Sequence, residues 1–460
     1  STEANSFTHS TGGTVSHGAG ADGSLAAAIT FPETPIHFPD GIAFSNGTAA
    51  AEESIIDKIR AAKGQGSLNF VVNNTGTESI KFNASTDFGA TGLVLTTSNS
   101  PAVVIFDGGG RVIDLTGSPS GSPLITVGSG VTLTLKNITF MGLKAAADGK
   151  NNNAPVIVVK GGHLVMGNAA VIRDNTAGAA AYNRPSGGGV YVASGMFTMK
   201  DGAEIGGNTA SATTYNRPSG GGVFMAGGTF TLESGSKISG NTANGGYGNT
   251  STGGDGGLTA GGVYVAGGTF TMKDDGSCIS GNTGNGGGNG NGAAAGGVYV
   301  TSGGTFAMEG GSAITGNAGT GGGGGWYHGG APAAGEVYVA SAGTFTMKGS
   351  SGIRDNTGTG GTGYNAQGHY GGPGGTGAGG VYVASGGTFT ITENTVVISG
   401  NTGKGGAAGG ASAGSGYGGY YKASGGTTSI PSGMQVSAVL PATGSGGVYR
   451  KKTGPAGIPV

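Results

Sequence analysis

One phrase recurs along the chain and limits what it can fold into. Residues 189–209 read GVYVASGMFTMKDGAEIGGNT, residues 222–242 read GVFMAGGTFTLESGSKISGNT, and residues 262–283 read GVYVAGGTFTMKDDGSCISGNT. Further copies start at Gly297, Glu336 and Gly380; a divergent one occupies 157–176 and a decayed one begins near Tyr420. Each copy carries three short apolar runs: Val-Tyr-Val, Phe-Thr-Met, and an Ile three residues before an Asn. Runs so short and so rich in β-branched and aromatic residues predict strands. A unit of this size cannot bury its apolar face alone, so copies must stack. Three strands per copy, stacked in register, predict an all-β chain: a right-handed parallel β-helix (β-solenoid) with three strands per coil.

Alternation sets which side chains face inward. Val190, Val192, Phe197, Met199 and Ile205, with their equivalents in each copy, are the expected core. Tyr191, Phe224, Tyr264, Tyr299, Tyr338 and Tyr382 then point outward as an aromatic stripe, the candidate binding surface. Either it is free to stack on a glycan or a partner subunit, or the glycine-rich inserts fold back over it. The residue after the Met or Leu faces water and alternates in sign: Lys200, Glu233, Lys273, Glu309, Lys348, then Thr392. Stacked roughly 4.8 Å apart, such residues form a favourable charge ladder. A second ladder, Asn175, Asn208, Asn241, Asn282, Asn317, Asn356 and Asn401, is expected to be structural: an inward-turned corner in which each amide bonds the next.

The order along the chain divides into four parts. Residues 1–48 do not repeat. Residues 49–64 form the expected N-terminal capping helix, in which Ile55, Ile56 and Ile59 make one stripe and Gly64 ends it. Residues 65–430 are the parallel β-helix, and 431–460 are a tail. Variable inserts at 177–188, 243–261, 318–335 and 358–379 all leave from one corner, and they are glycine with scattered aromatics.

With 109 glycines in 460 residues and no Gly-X-Y period, the chain is not collagen-like. Charged residues are only 10% and the formal net charge is −1, so no basic surface for nucleic acid is expected. No apolar run is long enough for a membrane span. Cys278 is the only cysteine, which rules out an intramolecular disulfide. The start at Ser1 is read as export after signal-peptide removal, placing the protein outside the cell or on its surface. The tail contains Leu-Pro-Ala-Thr-Gly at 440–444, a match to the sortase signal without the apolar span that such a signal needs.

Two stretches carry a family resemblance. Residues 103–110, VVIFDGGG, and 133–140, LTLKNITF, resemble opening coils of the pectin-lyase-like right-handed β-helix proteins. The Gly-Gly-Val-Tyr and Ile-x-x-Asn phrases resemble bacterial and archaeal adhesin-like surface proteins. They are also similar to the repeats of polymorphic outer-membrane proteins, with Ile here where that family has Phe. The resemblance covers about 65–430 and implies an adhesin-like, non-enzymatic surface protein.

The function expected from the sequence is therefore an exported structural β-solenoid that self-assembles into a fibre or layer. Its expected partner is itself, head to tail, or else a surface glycan or host surface. No catalytic residue, metal or cofactor is expected. Two alternatives stay open. The opening coils would permit a carbohydrate-active enzyme, although Asp174 and Asp355 beside Arg173 and Arg354 lie several coils apart, and His163, His328 and His369 have no matching acidic partner. The pairs Thr229/Thr231, Thr269/Thr271, Thr344/Thr346 and Thr388/Thr390 would permit ice binding; Met196 and Ala307 interrupt that array. Residues 25–31, LAAAITF, are either a strand lent to the next subunit or a segment folded back on its own body.

Overall fold

The computed structural model describes the chain from 93 to 431, apart from 97–102, 117–122, 143–153, 180–185, 213–217, 249–255, 291, 326–328, 365–371 and 410. Before 93 it describes short strands only, and nothing after 431. Phe7–Thr8 pairs antiparallel with Thr14–Val15, and Phe44–Ser45 with Thr48–Ala49. Apart from Thr48–Ala49, the expected capping helix lies outside the described residues, as do the 25–31 segment and the Leu-Pro-Ala-Thr-Gly motif.

The body is all-β, and its strands stack in parallel, repeat upon repeat. The opening coils pair Ser67–Val71 and Ile80–Asn83 with Val103–Thr116, which pairs in turn with Thr132–Met141. From there the register is regular. Val190, Tyr191 and Val192 face Val223, Phe224 and Met225, which face Val263, Tyr264 and Val265. Phe197 faces Phe230, which faces Phe270, and Ile205 faces Ile238, which faces Ile279. One sequence repeat thus advances the stack by one coil. The apolar members of each run meet their own kind, so the transfer of these side chains out of water is the main force holding the coils together.

Alternation decides burial as the pleat requires. In Thr229–Leu232 the two apolar residues are buried and the two threonines are not. Val190, Val192, Phe197, Met199 and Ile205 are all within one continuous core. Inside it the phenylalanines form a column of nearly parallel rings from Phe197 to Phe389, with neighbouring centroids 4.4–5.0 Å apart.

The corner after the Ile run turns at one residue. Asp174, Gly207, Gly240, Gly281, Gly316, Asp355 and Gly400, each just before the ladder Asn, have φ between 57° and 68°. Only Gly, or an Asp or Asn, adopts this left-handed conformation readily. The bend therefore belongs to the residue before the Asn, and the Asn itself supplies hydrogen bonds.

The inserts differ from the expectation that they are loops between three-stranded coils. They open and close with two more parallel ladders, each of seven strands among the described residues. The first runs from Thr176–Ala179 through Thr209–Ala212 and Thr242–Asn244 to Thr402–Lys404. The second runs from Ser186–Gly187 through Ser219–Gly220 and Thr259–Ala260 to Gly416–Tyr417. Glycine and alanine dominate the second and alternate with threonine in the first, and segments so short and so rich in small residues gave little strand signal in the sequence.

Candidate functional site: the aromatic column and its glycine cover

The Val-Tyr-Val strands send their middle residue away from the main core. Tyr191, Phe224, Tyr264, Tyr299, Tyr338 and Tyr382 form one column with centroids 4.6–5.5 Å apart and rings within 10° of parallel. Tyr421 continues it with a tilted ring. The column is not a free surface. Phe224 is 1% exposed, Tyr264 2%, Tyr299 3%, Tyr338 6% and Tyr382 8%. The rings pack with Ala260, Ala293, Ala295, Ala334 and Ala378 into a second core. Those alanines come from the returning legs of the inserts, so the inserts lie over the stripe. Burial pushes the phenol pKa values of Tyr264, Tyr299, Tyr338 and Tyr382 upward; neighbouring phenolates push the last three further. Tyr191, at the N-terminal end of the column, is only partly buried.

The cover has its own order. In the outgoing leg of one coil, Gly360 and Gly363 donate their N–H groups to Lys404 and Ala407 of the next coil. Between them, Gly361 donates to Ala331 of the preceding coil's returning leg and accepts from Gly375 of its own. The coil before repeats this: Gly321 and Gly324 donate to Thr359 and Thr362, and Gly322 donates to Gly292. In the returning legs, Gly330 and Ala333 donate to Pro373 and Thr376, and Gly374 and Gly377 donate to Ser412 and Ser415. Bonds leave in the same direction every third residue, as expected of an extended helix with three residues per turn. A zigzag of backbone bonds runs Gly292–Gly322–Ala331–Gly361–Gly375–Gly406–Gly414 across the two layers of legs. Glycine is required because the backbones touch. A Cβ on Gly361 would overlap the Gly322 carbonyl, and one on Gly406 would overlap that of Gly361. The inserts are thus a two-layered glycine lattice, bonded by its backbone within and between the layers, that covers the aromatic column.

The asparagine column is fully internal to the corner. Asn241 Nδ2 donates to Asn282 Oδ1 at 3.0 Å and to the Ile205 carbonyl at 2.9 Å, while its N–H donates to the same Asn282 oxygen at 2.9 Å. The pattern holds from Asn208 to the Asn356–Asn401 step. The Oδ1 of each asparagine from Asn241 to Asn401 therefore takes two hydrogen bonds from the coil before it. All seven asparagines are buried, and their donors and acceptors face protein groups.

The charge column is also in place: Glu233 N–H donates to Met199 O, Lys273 to Leu232, Glu309 to Met272, Lys348 to Met308 and Thr392 to Met347, each one coil on. Lys348 Nζ meets Glu309 Oε1 at 3.0 Å, whereas Lys200 lies nearer Asp201, at 3.9 Å. Arg173 pairs with its neighbour Asp174 at 2.9 Å. His163 Nε2 is 3.0 Å from Thr198 Oγ1, and burial lowers its pKa. His328 and His369 lie outside the described residues. Among the described residues no three His, Cys, Asp or Glu side chains come together as metal ligands would.

Two features escaped the sequence reading. The period-three glycine bonding was hidden because glycine carries no pattern of apolar and polar faces. Glu336 was passed over as a variant of the first position of the repeat. It is fully buried, and its Oε1 has no hydrogen-bond partner.

No family model, no curated protein and no solved structure matches this chain.

Proposed function

We propose that this chain is a non-enzymatic structural protein: an exported, adhesin-like β-solenoid of right-handed turn that serves as a shaft at a cell surface and joins others of its kind into a fibre or layer. The observation that supports this best is where the repetition is spent. Its apolar, aromatic and asparagine columns and its glycine rows all serve to lock one coil on the next, and the candidate aromatic stripe is part of that locking. Such a stack is stiff and lengthens by adding copies.

Head-to-tail joining rests on the strands at the end of the stack. Tyr420–Lys422 and Thr427–Ser429 pair with the coil before them, and no other pairing is present among the described residues. An open strand edge accepts another strand, and a contact between unlike ends propagates as a filament. Electron microscopy of the intact chain tests the reading: fibres or sheets are expected, and monodisperse single rods would sink assembly. Removing residues 1–35 then tests strand donation, since fibres that persist unchanged would exclude it.

A second reading, ice binding, draws on the outward threonines. Thr229, Thr269, Thr305, Thr344 and Thr388 lie in one unbroken register column, and Thr346 and Thr390 extend a second beside it. Thermal hysteresis in solution of the intact chain, abolished by replacing Thr269 and Thr344 with Leu, is its test.

A further inference from the structure

We infer that Glu336 makes one joint of the shaft depend on a proton: the two coils that meet there close over a neutral carboxyl group and loosen when it ionises. The position is occupied by Gly189, Gly222, Gly262, Gly297 and Gly380 in the other copies. At Gly189, Gly222 and Gly262 the backbone passes, at the inner corner, against the Ile and Asn of its own coil. A Cβ on Gly222, for example, would lie 3.0 Å from Ile238 and 3.1 Å from Asn241. Glu336 carries a full side chain at that corner. It reaches back to the coil before, and Oε1 lies so close to Gly297 that a Cβ there would clash with it.

The surroundings offer the carboxyl little. Oε2 accepts one hydrogen bond from Asn317 Nδ2, a long one at 3.3 Å, and Oε1 has no partner. Among the described residues no lysine, arginine or histidine offsets its charge; the causes acting on it are burial, which raises its pKa well above the ordinary carboxylate value, and the Asn317 bond, which opposes the rise. Burial raises the pKa of the half-buried Cys278 thiol, and a negative charge at Glu336 would raise it further. An isolated carboxylate here would be uncompensated in a medium of low dielectric.

Backbone bonds tie the joint: Gly297 and Val298 donate to the Glu336 carbonyl at 3.1 and 2.8 Å, and Glu336 and Val337 donate in turn to Gly380 of the coil after, at 3.2 Å each. The folded chain holds the Glu336 proton more tightly than the unfolded chain does. Stability contributed by the protonated group is therefore complete below the unfolded pKa and is lost as pH rises from there toward the folded value.

Hydrogen exchange and thermal unfolding of the intact chain from about pH 5 to about pH 8 test this. After correction for intrinsic exchange, amides of Gly297, Val298, Glu336 and Val337 should lose protection as pH rises, while the matching amides of Gly222 and Val223 do not. Glu336→Gln keeps the shape and removes the titration, and Glu336→Gly restores the residue of the other copies. Both should flatten the local pH dependence, and the wild type should also show a protonated-carboxyl stretch at neutral pH that Glu336→Gln lacks. Parallel pH profiles for wild type and Glu336→Gln, or the absence of that infrared band, would overturn the inference.

Discussion

Asn282 Oδ1 receives two hydrogen bonds from Asn241, one from its backbone N–H at 2.9 Å and one from its side-chain Nδ2 at 3.0 Å. One amide oxygen thereby satisfies a main-chain and a side-chain donor of the neighbouring coil. Asn282→Ala would leave the Asn241 N–H buried without an acceptor, and would take one acceptor from Asn241 Nδ2 and one donor, at 3.0 Å, from the Ile238 carbonyl. A buried orphan costs about 1–3 kcal/mol and a lost bond at a group that keeps another partner about 0.5–1.5 kcal/mol, so a loss of about 2 kcal/mol or more in denaturant unfolding is expected. A change below about 1 kcal/mol would show that water satisfies the corner instead.

Phe230 lies between Phe197 and Phe270, with ring centroids 4.4 and 4.6 Å away, and is fully buried. Truncation to Ala should cost about 3–5 kcal/mol. Thr231→Ala, on the outward side of the same strand, should stay within about 0.5 kcal/mol. Equal effects at the two positions would mean that the strand does not pack as the alternation requires.

The glycine lattice makes a sharper contrast. Gly361→Ala places a Cβ against the Gly322 carbonyl; Gly323→Ala meets only Thr362, its Oγ1 at 3.4 Å and its carbonyl at 3.9 Å, both ordinary contacts. Gly361→Ala should destabilise by about 2 kcal/mol or more and expose residues 321–324 and 372–377 to protease. Gly323→Ala should do neither. If both are tolerated, the legs are held apart in solution and the aromatic column is less well sealed.

The tyrosine column has a pH signature. Burial raises the phenol pKa values of Tyr264, Tyr299, Tyr338 and Tyr382 in the folded state. These groups contribute stability that is complete below the unfolded value near 10 and is lost as pH climbs above it. Absorbance titration should show these four phenols ionising only as the chain unfolds. A single smooth titration of all tyrosines near pH 10, without loss of β-sheet circular dichroism, would place the column in solvent.

Surface charge contributes far less. Lys348→Ala breaks a 3.0 Å pair with Glu309 whose side chains are 45% and 31% exposed, and exposed pairs are worth about 0–1 kcal/mol. Thermal unfolding at low and high salt should barely separate this variant from the wild type. A large, salt-sensitive loss would promote the charge column from a consequence of stacking to a cause of it.

The repeat by itself determined the stack. Val190, Phe197, Met199 and Ile205 could be assigned inward because a strand has a period of two and β-branched and aromatic residues announce it. The columns of Asn175 to Asn401 and Lys200 to Lys348 followed once one repeat was equated with one coil. What the sequence left undecided was the fate of Tyr264 and its neighbours, because exposure is a property of what lies above a residue and not of the residue. The structure decided it through the inserts. Gly361, Gly375 and Gly406 have no side chains to encode a facing partner, and their order comes only from backbone groups meeting across coils at distances a Cβ forbids. Glu336 was equally silent: a charged letter reads as surface, and only the corner packed around Gly297 and Asn317 shows that this one is enclosed.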